Sequence, residues 1–512
     1  MLEKISNFFK SKLFVAFGAG ALCSLAFAPF NLIIFSVISI TVFYFLIEKS
    51  HNQKQTFFYG FCYGFGYFLA GNYWIAISLL VDAKEFAWLI PFCLTLIPGI
   101  LAIYFALLAV SFKALTKKFH LNKNYQKITI FAILWIFFEL IRSFLFTGFP
   151  WNLLGYSALF SEYFSQMANI FGVYGLSFLI VLISLTPILF LKNNHQKSDK
   201  IFACLILILT IANLLYGKFY IDEAKLITDS KTKLRIVQSN IKQEMKWDER
   251  EKYRNFLKTI SLTNSKNLDD VKIVIWSETS TPYAIEANSQ VLEKLKLATP
   301  KNGFLITGAL RFKHDNYQIN QAWNSVFTVS QNGIENFYDK HHLVPFGEYV
   351  PLQKFLPFIN KITDGALGFS SGDGAKTLNA GNLKFSPLIC YEVIFPDKII
   401  DKNSPPNLLI NVTNDAWFGF SSGPFQHFDM TRMRAIEHGL FLARAANTGV
   451  SAFIDPFGRV IAKINLNEEG IIDANLITKN QRTIYSKHGN KPLLILIALA
   501  IALLIISRKW WR

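Results

Sequence analysis

Charged side chains are scarce in this sequence. Only 17% of its 512 residues are Asp, Glu, Lys or Arg, and 52% are hydrophobic, whereas a typical soluble domain has about 25% charged and about 45–50% apolar residues. The high apolar content excludes an intrinsically disordered chain, which lacks the apolar surface needed to fold. The composition also excludes an ordinary soluble enzyme and directs attention to where the apolar residues fall.

Acidic residues are especially scarce in one part of the chain. The formal net charge is +17, from 52 basic and 35 acidic residues. Residues 219–491 hold 33 basic and 28 acidic groups, while the rest of the chain holds 19 basic and only 7 acidic groups. Most of the positive excess therefore flanks apolar segments, where Lys and Arg indicate membrane orientation. This distribution argues against a nucleic-acid partner.

Eight hydrophobic runs are long enough, or nearly so, to cross a bilayer as helices, which takes roughly 17–25 residues. The first run is not a cleavable signal peptide, because a second span follows it without a clear small-residue cleavage site. We therefore predict a polytopic α-helical membrane domain of seven spans in residues 1–218, and an eighth span with a cytoplasmic tail in residues 492–512. The runs lie near residues 13–29, 31–47, 57–80, 87–112, 126–146, 167–191, 200–218 and 492–507.

The distribution of Lys and Arg predicts the orientation of these spans. With the N-terminus inside, the inner segments carry sixteen Lys and Arg residues, whereas the short outer loops near 81–86 and 147–166 carry only Lys84. Basic residues favour the cytoplasmic side. Both termini are therefore predicted to be cytoplasmic, and residues 219–491 to lie outside, between the seventh and eighth spans.

The outer segment, residues 219–491, alternates strand and helix patterns. This alternation predicts an α/β domain with its own core and at least one sizeable sheet. Predicted strands are Leu234–Ile241, Val271–Trp276, Phe304–Leu310, Ser325–Val329, Leu383–Cys390, Asn407–Val412 and Ser451–Ile454, and predicted helices include Lys252–Lys258, Gln290–Ala298 and Met430–Ala446.

Cysteine is rare, and its placement is informative. Four of the five cysteines lie in the predicted spans, and Cys390 is the only one in the outer domain. It therefore has no intradomain disulfide partner, and a lone thiol in an oxidising compartment is a liability unless it is used. On position alone, a buried core residue and a functional thiol are equally supported.

The context of Cys390 favours a nucleophile. It ends the apolar run Phe385–Ile389, and a nucleophile on a sharp turn at a strand end is presented above the sheet, near backbone N–H groups that can bind an oxyanion. A thiolate also needs a neighbouring base or cation. Glu278 and Lys340 each lie at another predicted strand end.

The order Glu278, Lys340, Cys390 resembles the nitrilase superfamily of carbon–nitrogen hydrolases. Longer stretches resemble one family within it, the apolipoprotein N-acyltransferases, and the resemblance covers essentially the whole chain. These stretches are Lys340-His-His-Leu-Val-Pro-Phe-Gly-Glu-Tyr-Val-Pro351, Cys390-Tyr-Glu392, Asn414-Asp-Ala-Trp-Phe-Gly419, Val237-Gln-Ser-Asn240-Ile with Lys246-Trp247-Asp248, and Thr147-Gly-Phe-Pro-Trp-Asn152.

The resemblance implies an αββα sandwich for the outer domain and a Glu-Lys-Cys triad. It assigns Cys390 as the nucleophile, Glu278 as the general base and Lys340 as the cation that stabilises the oxyanion. The remaining site residues that it implies are Glu348 and Glu392, acidic residues that support the site; Tyr391, which supplies a neighbouring backbone amide; and Trp247 and Trp417, aromatic residues near the acyl and lipid entrance.

The resemblance also implies a reaction. An acyl group would pass from a phospholipid to Cys390 as a thioester, and then to the N-terminal amine of a diacylglyceryl-cysteine lipoprotein. No cofactor and no metal are expected, and the partners are the phospholipid donor, the lipoprotein acceptor and membrane lipids. The expected setting is the inner membrane of a Gram-negative-type cell, with the catalytic domain in the periplasm and the protein a monomer.

Two other functions stay open at this point. A membrane-anchored, nitrilase-like amidase would use the same triad to hydrolyse a small C–N bond. A transporter would use the outer domain only to bind a ligand, although the short loops and the absence of a discernible repeat argue against it. A long-chain acyl adduct on Cys390 would indicate the transferase, a small adduct the amidase, and no adduct the transporter.

Two apolar runs punctuated by Gly are further candidates for function. They are Pro351–Gly374 and Ala416–Phe428. An ordinary core-and-loop role is one interpretation. We favour mobile arms that dip into the outer leaflet, because aromatic clusters beside Gly suit an interfacial lid.

Overall fold

Long apolar helices dominate the N-terminal part of the structure, a computed structural model that describes residues 2–191, 197–315, 318–351, 361–362 and 368–509. The contacts divide the chain into two units. The first comprises residues 1–76, 88–223 and 483–512, and the second comprises residues 77–87 and 224–482.

All regular secondary structure described in the first unit is helical. Each of the eight predicted apolar runs overlaps a long helix. These are α1 (Leu2–Cys23), α2 (Ile34–Glu48), α3 (Gln53–Asn72), α4 (Ile90–Lys118), α5 (Asn124–Phe144), α6 (Ala168–Leu185), α7 (Lys197–Asp222) and a C-terminal helix, Lys491–Lys509. Single helical turns of four or five residues lie at Glu162–Ser165, Ile188–Leu191 and Ile484–His488. Two further turns are Ile75–Ser78, at the boundary between the units, and Ala83–Phe86, in the part of the second unit that lies between α3 and α4.

Four helical segments among the described residues are long and apolar enough to cross a membrane. Three further apolar helices are shorter than a full span. The chain is therefore a membrane protein by length and composition, while the count of eight spans stays a prediction. The four long segments are Ala83–Lys118, Asn124–Thr147, Ala168–Phe190 and Lys197–Asp222, and the shorter ones are Ser11–Ala26, Ile34–Glu48 and Lys491–Ile506.

Two buried charged residues of α5 hold the loop that follows it. Glu139 Oε1 accepts hydrogen bonds from the Trp135 indole at 3.1 Å and from the Leu154 N–H at 2.8 Å. Arg142 donates to the Trp151 carbonyl at 2.7 Å. Buried charges need such partners. The Thr147–Asn152 stretch that resembles the family is therefore held in place by hydrogen bonds to buried residues of α5.

The second unit is an α/β domain, as predicted. Its twelve described strands form two six-stranded sheets, one ordered β12-β1-β2-β3-β4-β5 and the other β11-β10-β9-β8-β7-β6. The strands are β1 (Leu226–Gln238), β2 (Val271–Ile275), β3 (Phe304–Asp315), β4 (Gln318–Ser330), β5 (Gly333–Asp339), β6 (Leu378–Ala380), β7 (Leu383–Ile389), β8 (Leu408–Thr413), β9 (Phe441–Ala446), β10 (Ser451–Ile454), β11 (Val460–Ile464) and β12 (Gly470–Lys479).

The core of this domain lies between the two sheets. One apolar cluster takes alternate residues from both sheets, including Ile273 and Ile306 of the first and Ile410 and Ala443 of the second. Successive side chains of a strand point to opposite faces, so the other faces receive helices: α8 (Lys252–Thr263) and α9 (Ser289–Lys296) pack on the first sheet. Helix α10 (Gly423–His438) lies on the second sheet, where Arg444 of β9 donates to Thr431 of α10 at 3.0 Å.

One helix prediction is wrong in its second half. The stretch Met430–Ala446 contains the end of α10, which stops at His438, and then the strand β9. Gly439 adopts a left-handed conformation with φ +63° and closes the helix. The next residues, Phe441–Ala446, favour helix by composition, but all six are buried in parallel pairing with β8. Tertiary packing therefore overrides local propensity.

The sheet topology places the three predicted catalytic residues at strand ends. Glu278 lies three residues after β2, and Lys340 directly follows β5, both in the first sheet. Cys390 directly follows β7 in the second sheet. The site is therefore built where ends of the two sheets meet.

Candidate active site

Cys390 occupies a strained turn where β7 ends and a short 3₁₀ helix, Cys390–Ile394, begins. Its φ is +50°, a conformation that costs free energy for a residue with a side chain and that is found at nucleophile turns. Its side chain joins the edge of the core and is 8% exposed. Burial and the Glu278 carboxylate raise the pKa of the thiol, and Lys340 partly opposes them. The resting residue is therefore a thiol that needs a base.

Lys340 lies between two buried carboxylates. Its Nζ is 2.9 Å from Glu348 Oε1 and 3.7 Å from Glu278 Oε1. Asn324 of β4 ties the same two carboxylates together, donating from Nδ2 to Glu278 at 2.7 Å and to Glu348 at 3.2 Å. Glu348 Oε2 accepts a further hydrogen bond from the Val344 N–H at 2.8 Å. The structure thus brings Glu278, Lys340 and Glu348 into one network.

The charge of Lys340 is fixed by this arrangement. Burial alone would lower the pKa of Lys340, but the charges of Glu348 and Glu278 outweigh it and raise the pKa above its ordinary value. A permanently protonated, buried ammonium is a preorganised partner for a negative oxygen. Glu278 is also buried, with only 6% of its surface exposed, so bulk water has little access to its carboxylate.

Glu392 connects the turn that carries Cys390 to the turn that carries Lys340. Its Oε2 accepts from the Ile389 N–H at 2.7 Å, just before the nucleophile. Its Oε1 accepts from the His341 N–H at 2.8 Å and from the Tyr338 hydroxyl at 2.7 Å, on either side of Lys340. Burial opposes ionisation, but the hydrogen bonds and the charge of His341 leave the pKa of Glu392 lowered. One carboxylate thereby fixes both sheet ends relative to each other.

Lys246 is a second buried cation beside the site, and no role could be assigned to it from the sequence. It is the last residue of the short helix Gln243–Lys246, and its Nζ donates to the Glu278 carbonyl at 2.8 Å. Burial lowers the pKa of Lys246 to about 8, although Glu278 and Cys390 favour its charged form. Lys246 therefore fixes the backbone of the predicted base and adds positive charge near the thiol.

Gly308 of β3 permits the close approach of the Glu278 turn. A Cβ atom at this position would lie 2.3 Å from the backbone nitrogen of Thr279 and 2.8 Å from Cα of Glu278. Backbone atoms cannot move aside as a flexible side chain can. The position therefore needs Gly for packing rather than for conformational freedom.

The two predicted entrance residues are half-buried. Trp247 ends the Gln243–Lys246 helix, and Trp417 lies in the turn Asp415–Phe418. Phe420, three residues later, has 84% of its side chain exposed. Trp417 and Phe420 belong to one of the two predicted mobile arms, Ala416–Phe428. In the second, Pro351–Gly374, residues 352–360 and 363–367 lie outside the described residues.

The described part of the chain has no group of three or more His, Cys, Asp or Glu side chains arranged to hold a metal ion. Of the adjacent histidines in the Lys340 turn, His341 contacts protein groups: its Nδ1 lies 2.7 Å from Glu392 Oε1 and 2.6 Å from the Tyr338 hydroxyl. The His341 ring therefore helps to hold the turn that carries Lys340.

The sequence matches known proteins over almost its whole length. Residues 19–186 match the model of the apolipoprotein N-acyltransferase N-terminal domain, and residues 233–482 match that of the carbon–nitrogen hydrolases. The apolipoprotein N-acyltransferase of Rickettsia typhi is 38% identical over 494 residues, covering 95% of this chain and 96% of the relative. The chain belongs to the apolipoprotein N-acyltransferase family. It is therefore an acyltransferase, as the sequence predicted.

A more distant member of the apolipoprotein N-acyltransferase family gives the same result. The protein of that name from Rhodopseudomonas palustris is 35% identical over 515 residues, covering 97% of this chain and 95% of the relative. Among solved structures, a CN-hydrolase superfamily protein from Xanthomonas campestris is similar over 48% of this chain and 90% of its own, at 18% identity and a TM-score of 0.34.

Proposed function

We propose that this protein transfers an acyl chain from a phospholipid to the N-terminal amine of diacylglyceryl-cysteine lipoproteins, by a two-stage reaction through a Cys390 thioester. The buried Lys340 network carries this proposal. A fixed ammonium, a carboxylate and a thiol at the meeting ends of two sheets suit acyl transfer, in a chain that belongs to a family of acyltransferases.

In the first stage, Glu278 accepts the proton of the Cys390 thiol, and the sulfur attacks the ester carbonyl of the phospholipid. The negative oxygen that forms is stabilised by the Lys340 ammonium and by the Tyr391 backbone N–H. Collapse of this intermediate breaks the ester C–O bond. The lysophospholipid oxygen leaves with the proton held by Glu278, and the acyl group stays on Cys390 as a thioester.

In the second stage, the amine of the lipoprotein attacks the thioester carbonyl. Glu278 accepts a proton from the amine, the oxyanion again lies beside Lys340, and the C–S bond breaks. The sulfur recovers its proton from Glu278. Attack by the amine rather than by water requires a dry site, and Cys390, Glu278 and Lys340 are each less than 9% exposed.

The membrane arrangement that we propose has eight spans, cytoplasmic termini and a periplasmic catalytic domain, in the inner membrane, with the protein a monomer. The loop Ile77–Ala87, between α3 and α4, supports the orientation because it belongs to the same compact unit as the catalytic domain. This loop and the domain are both predicted to be outside from the distribution of Lys and Arg. The exposed Phe420 suits contact with the outer leaflet.

Reporter fusions test this arrangement. A reporter that is active only outside the cytoplasm should be inactive when fused after residue 125, and active when inserted near residue 265, which lies in an exposed turn after α8. The reverse pattern would overturn the orientation, and equal activity at both sites would contradict the odd number of membrane crossings predicted between them.

A product assay tests the reaction. Purified protein in detergent is given a phospholipid with a labelled acyl chain and a diacylglyceryl-cysteine peptide. We expect the peptide to gain one acyl chain on its amine, with one lysophospholipid formed per product. Labelled free fatty acid in place of acylated peptide would instead indicate a hydrolase, and no turnover of the phospholipid would indicate a binding protein.

A further inference from the structure

His427 lies directly behind the Cys390 turn, on α10, and the reaction described above does not use it. Its Nε2 is 3.2 Å from the carbonyl oxygen of Cys390. The ring is fully buried. Because a carbonyl oxygen can only accept, this contact is a hydrogen bond when the ring carries a hydrogen on Nε2.

Buried charged residues fix the other side of this ring. His427 Nδ1 is 2.9 Å from Asp415 Oδ1 and 3.2 Å from Arg444 Nη2. Asp415 Oδ2 in turn accepts from Arg444 Nη2 at 2.6 Å, and Thr413 donates to Asp415 Oδ1 at 3.1 Å. Arg444 also donates to Thr431 of α10 at 3.0 Å. These contacts run from the second sheet to its helix layer, so the imidazole has little freedom to turn.

The carbonyl that His427 contacts determines where a neighbouring amide points. Cys390 C=O and Tyr391 N–H belong to one planar trans peptide, in which the two groups point in opposite directions. Cys390 holds a costly φ of +50° at the start of the 3₁₀ helix Cys390–Ile394, so a contact from outside the turn helps to keep this peptide in its orientation. A hydrogen bond to the carbonyl on the α10 side directs the Tyr391 N–H to the opposite side.

We infer that His427 is a positioning residue that holds the Cys390–Tyr391 peptide so that the Tyr391 N–H faces the oxyanion of acyl transfer. This inference rests on the proposed function, because the oxyanion belongs to that reaction. His427 meets a backbone oxygen of the nucleophile and not a reacting atom, so it is a support of the oxyanion site rather than an acid or a base.

Two substitutions separate this role from a purely structural one. His427→Gln keeps an amide donor near the position of Nε2, and so keeps the bond to the Cys390 carbonyl. His427→Asn keeps a polar group near the position of Nδ1, and so keeps the contact with Asp415 while losing the reach to Cys390. A residue that only holds Asp415 and Arg444 would tolerate Asn better than Gln.

We expect the opposite order. Single-turnover acylation of Cys390 by phospholipid should fall about 10- to 100-fold in His427→Asn, because an oxyanion donor is misplaced rather than removed. His427→Gln should recover most of the rate. The loss should be in kcat with little change in KM, and both variants should stay folded, with unfolding temperatures close to each other in the same detergent.

Alkylation of Cys390 by iodoacetamide distinguishes a role in the oxyanion site from a purely structural role. Alkylation of the Cys390 sulfur forms no oxyanion, so its rate, followed on the Cys390 peptide by mass spectrometry, should be the same in His427→Asn and wild type. Selective loss of acylation supports the inference. Parallel loss of alkylation and acylation, equal acylation by both variants, or a His427→Asn protein that fails to fold would each overturn it.

The proposed function and this inference fail in different ways. If the wild-type protein forms no acyl-Cys390, the reaction itself is wrong. If the wild type acylates Cys390 and His427→Asn does so at the same rate, the reaction stands and only the role of His427 is lost.

Discussion

Cys390→Ala should abolish acyl transfer while leaving the protein folded and inserted. The thiol supplies the atom that carries the acyl chain, so neither stage can proceed without it. Loss of a catalytic nucleophile costs up to about 10⁶-fold in kcat, so we expect product to fall below detection. The labelled-phospholipid assay, with thermal unfolding in detergent as the folding check, measures both quantities.

The control for this variant is another cysteine of the same chain. Cys204 lies on α7 and is exposed. Cys204→Ala removes a more accessible thiol, so it should keep wild-type activity if Cys390 alone carries the acyl group. Normal turnover by Cys390→Ala would show that Cys390 is not the nucleophile.

Glu278→Gln should slow both chemical stages about 10²- to 10⁴-fold, the usual contribution of a positioned proton acceptor. The amide keeps an oxygen that can accept from Asn324 and Lys340, which both contact Oε1 of Glu278. The geometry is therefore kept while the ability to take a proton is lost. Single-turnover acylation, followed by addition of the diacylglyceryl-cysteine peptide, measures each stage separately.

Glu348→Gln is the matched comparison. Glu348 is the closer partner of Lys340, and it also accepts from the Val344 N–H, so it holds the cation in place rather than moving a proton. We expect a loss of about tenfold, from a weakened stabiliser of the oxyanion. Wild-type acylation by Glu278→Gln, or a larger loss in Glu348→Gln than in Glu278→Gln, would contradict these roles and exchange the two carboxylates.

The buried position of Lys340 limits what its removal can show. Lys340→Met leaves two buried carboxylates without their shared cation, and breaking a buried ion pair costs about 3–5 kcal/mol of stability. A loss of rate in this variant would therefore mix chemistry with unfolding. The Glu278 substitution is the cleaner probe of the same network.

The positions of the predicted catalytic residues at strand ends could be predicted from the sequence because they depend on local sequence patterns. Lys340 follows β5, Gly333–Asp339, in which polar and apolar residues are mixed. Glu278 and Cys390 each follow a short apolar run, and an apolar run of that length indicates a buried strand. A polar or nucleophilic residue directly after such a run lies at the edge of a sheet. The order of the three residues then pointed to the family, and the two-sheet α/β domain followed.

Residues whose role depends on distant parts of the chain could not be found in this way. Asn324 lies inside β4, where nothing in its neighbours distinguishes it from an ordinary strand residue, and it contacts Glu278 only because β2 and β4 lie in the same sheet. His427 is an interior helix residue whose partners, Asp415 and Arg444, come from separate segments of the second sheet's side of the domain. The strand β9 was missed for a similar reason, because its pairing with β8 and not its composition determines its conformation.

Intact-protein mass spectrometry after incubation with phospholipid tests whether Cys390 carries the acyl group during transfer. With a phospholipid of defined acyl chains, the wild-type protein should gain the mass of one acyl group, and proteolysis should place it on Cys390. Adding diacylglyceryl-cysteine peptide should then remove that mass from the protein and transfer it to the peptide amine. A protein that acylates the peptide without ever carrying the acyl group would contradict a thioester intermediate. A protein that carries the acyl group at another residue would contradict the assignment of Cys390.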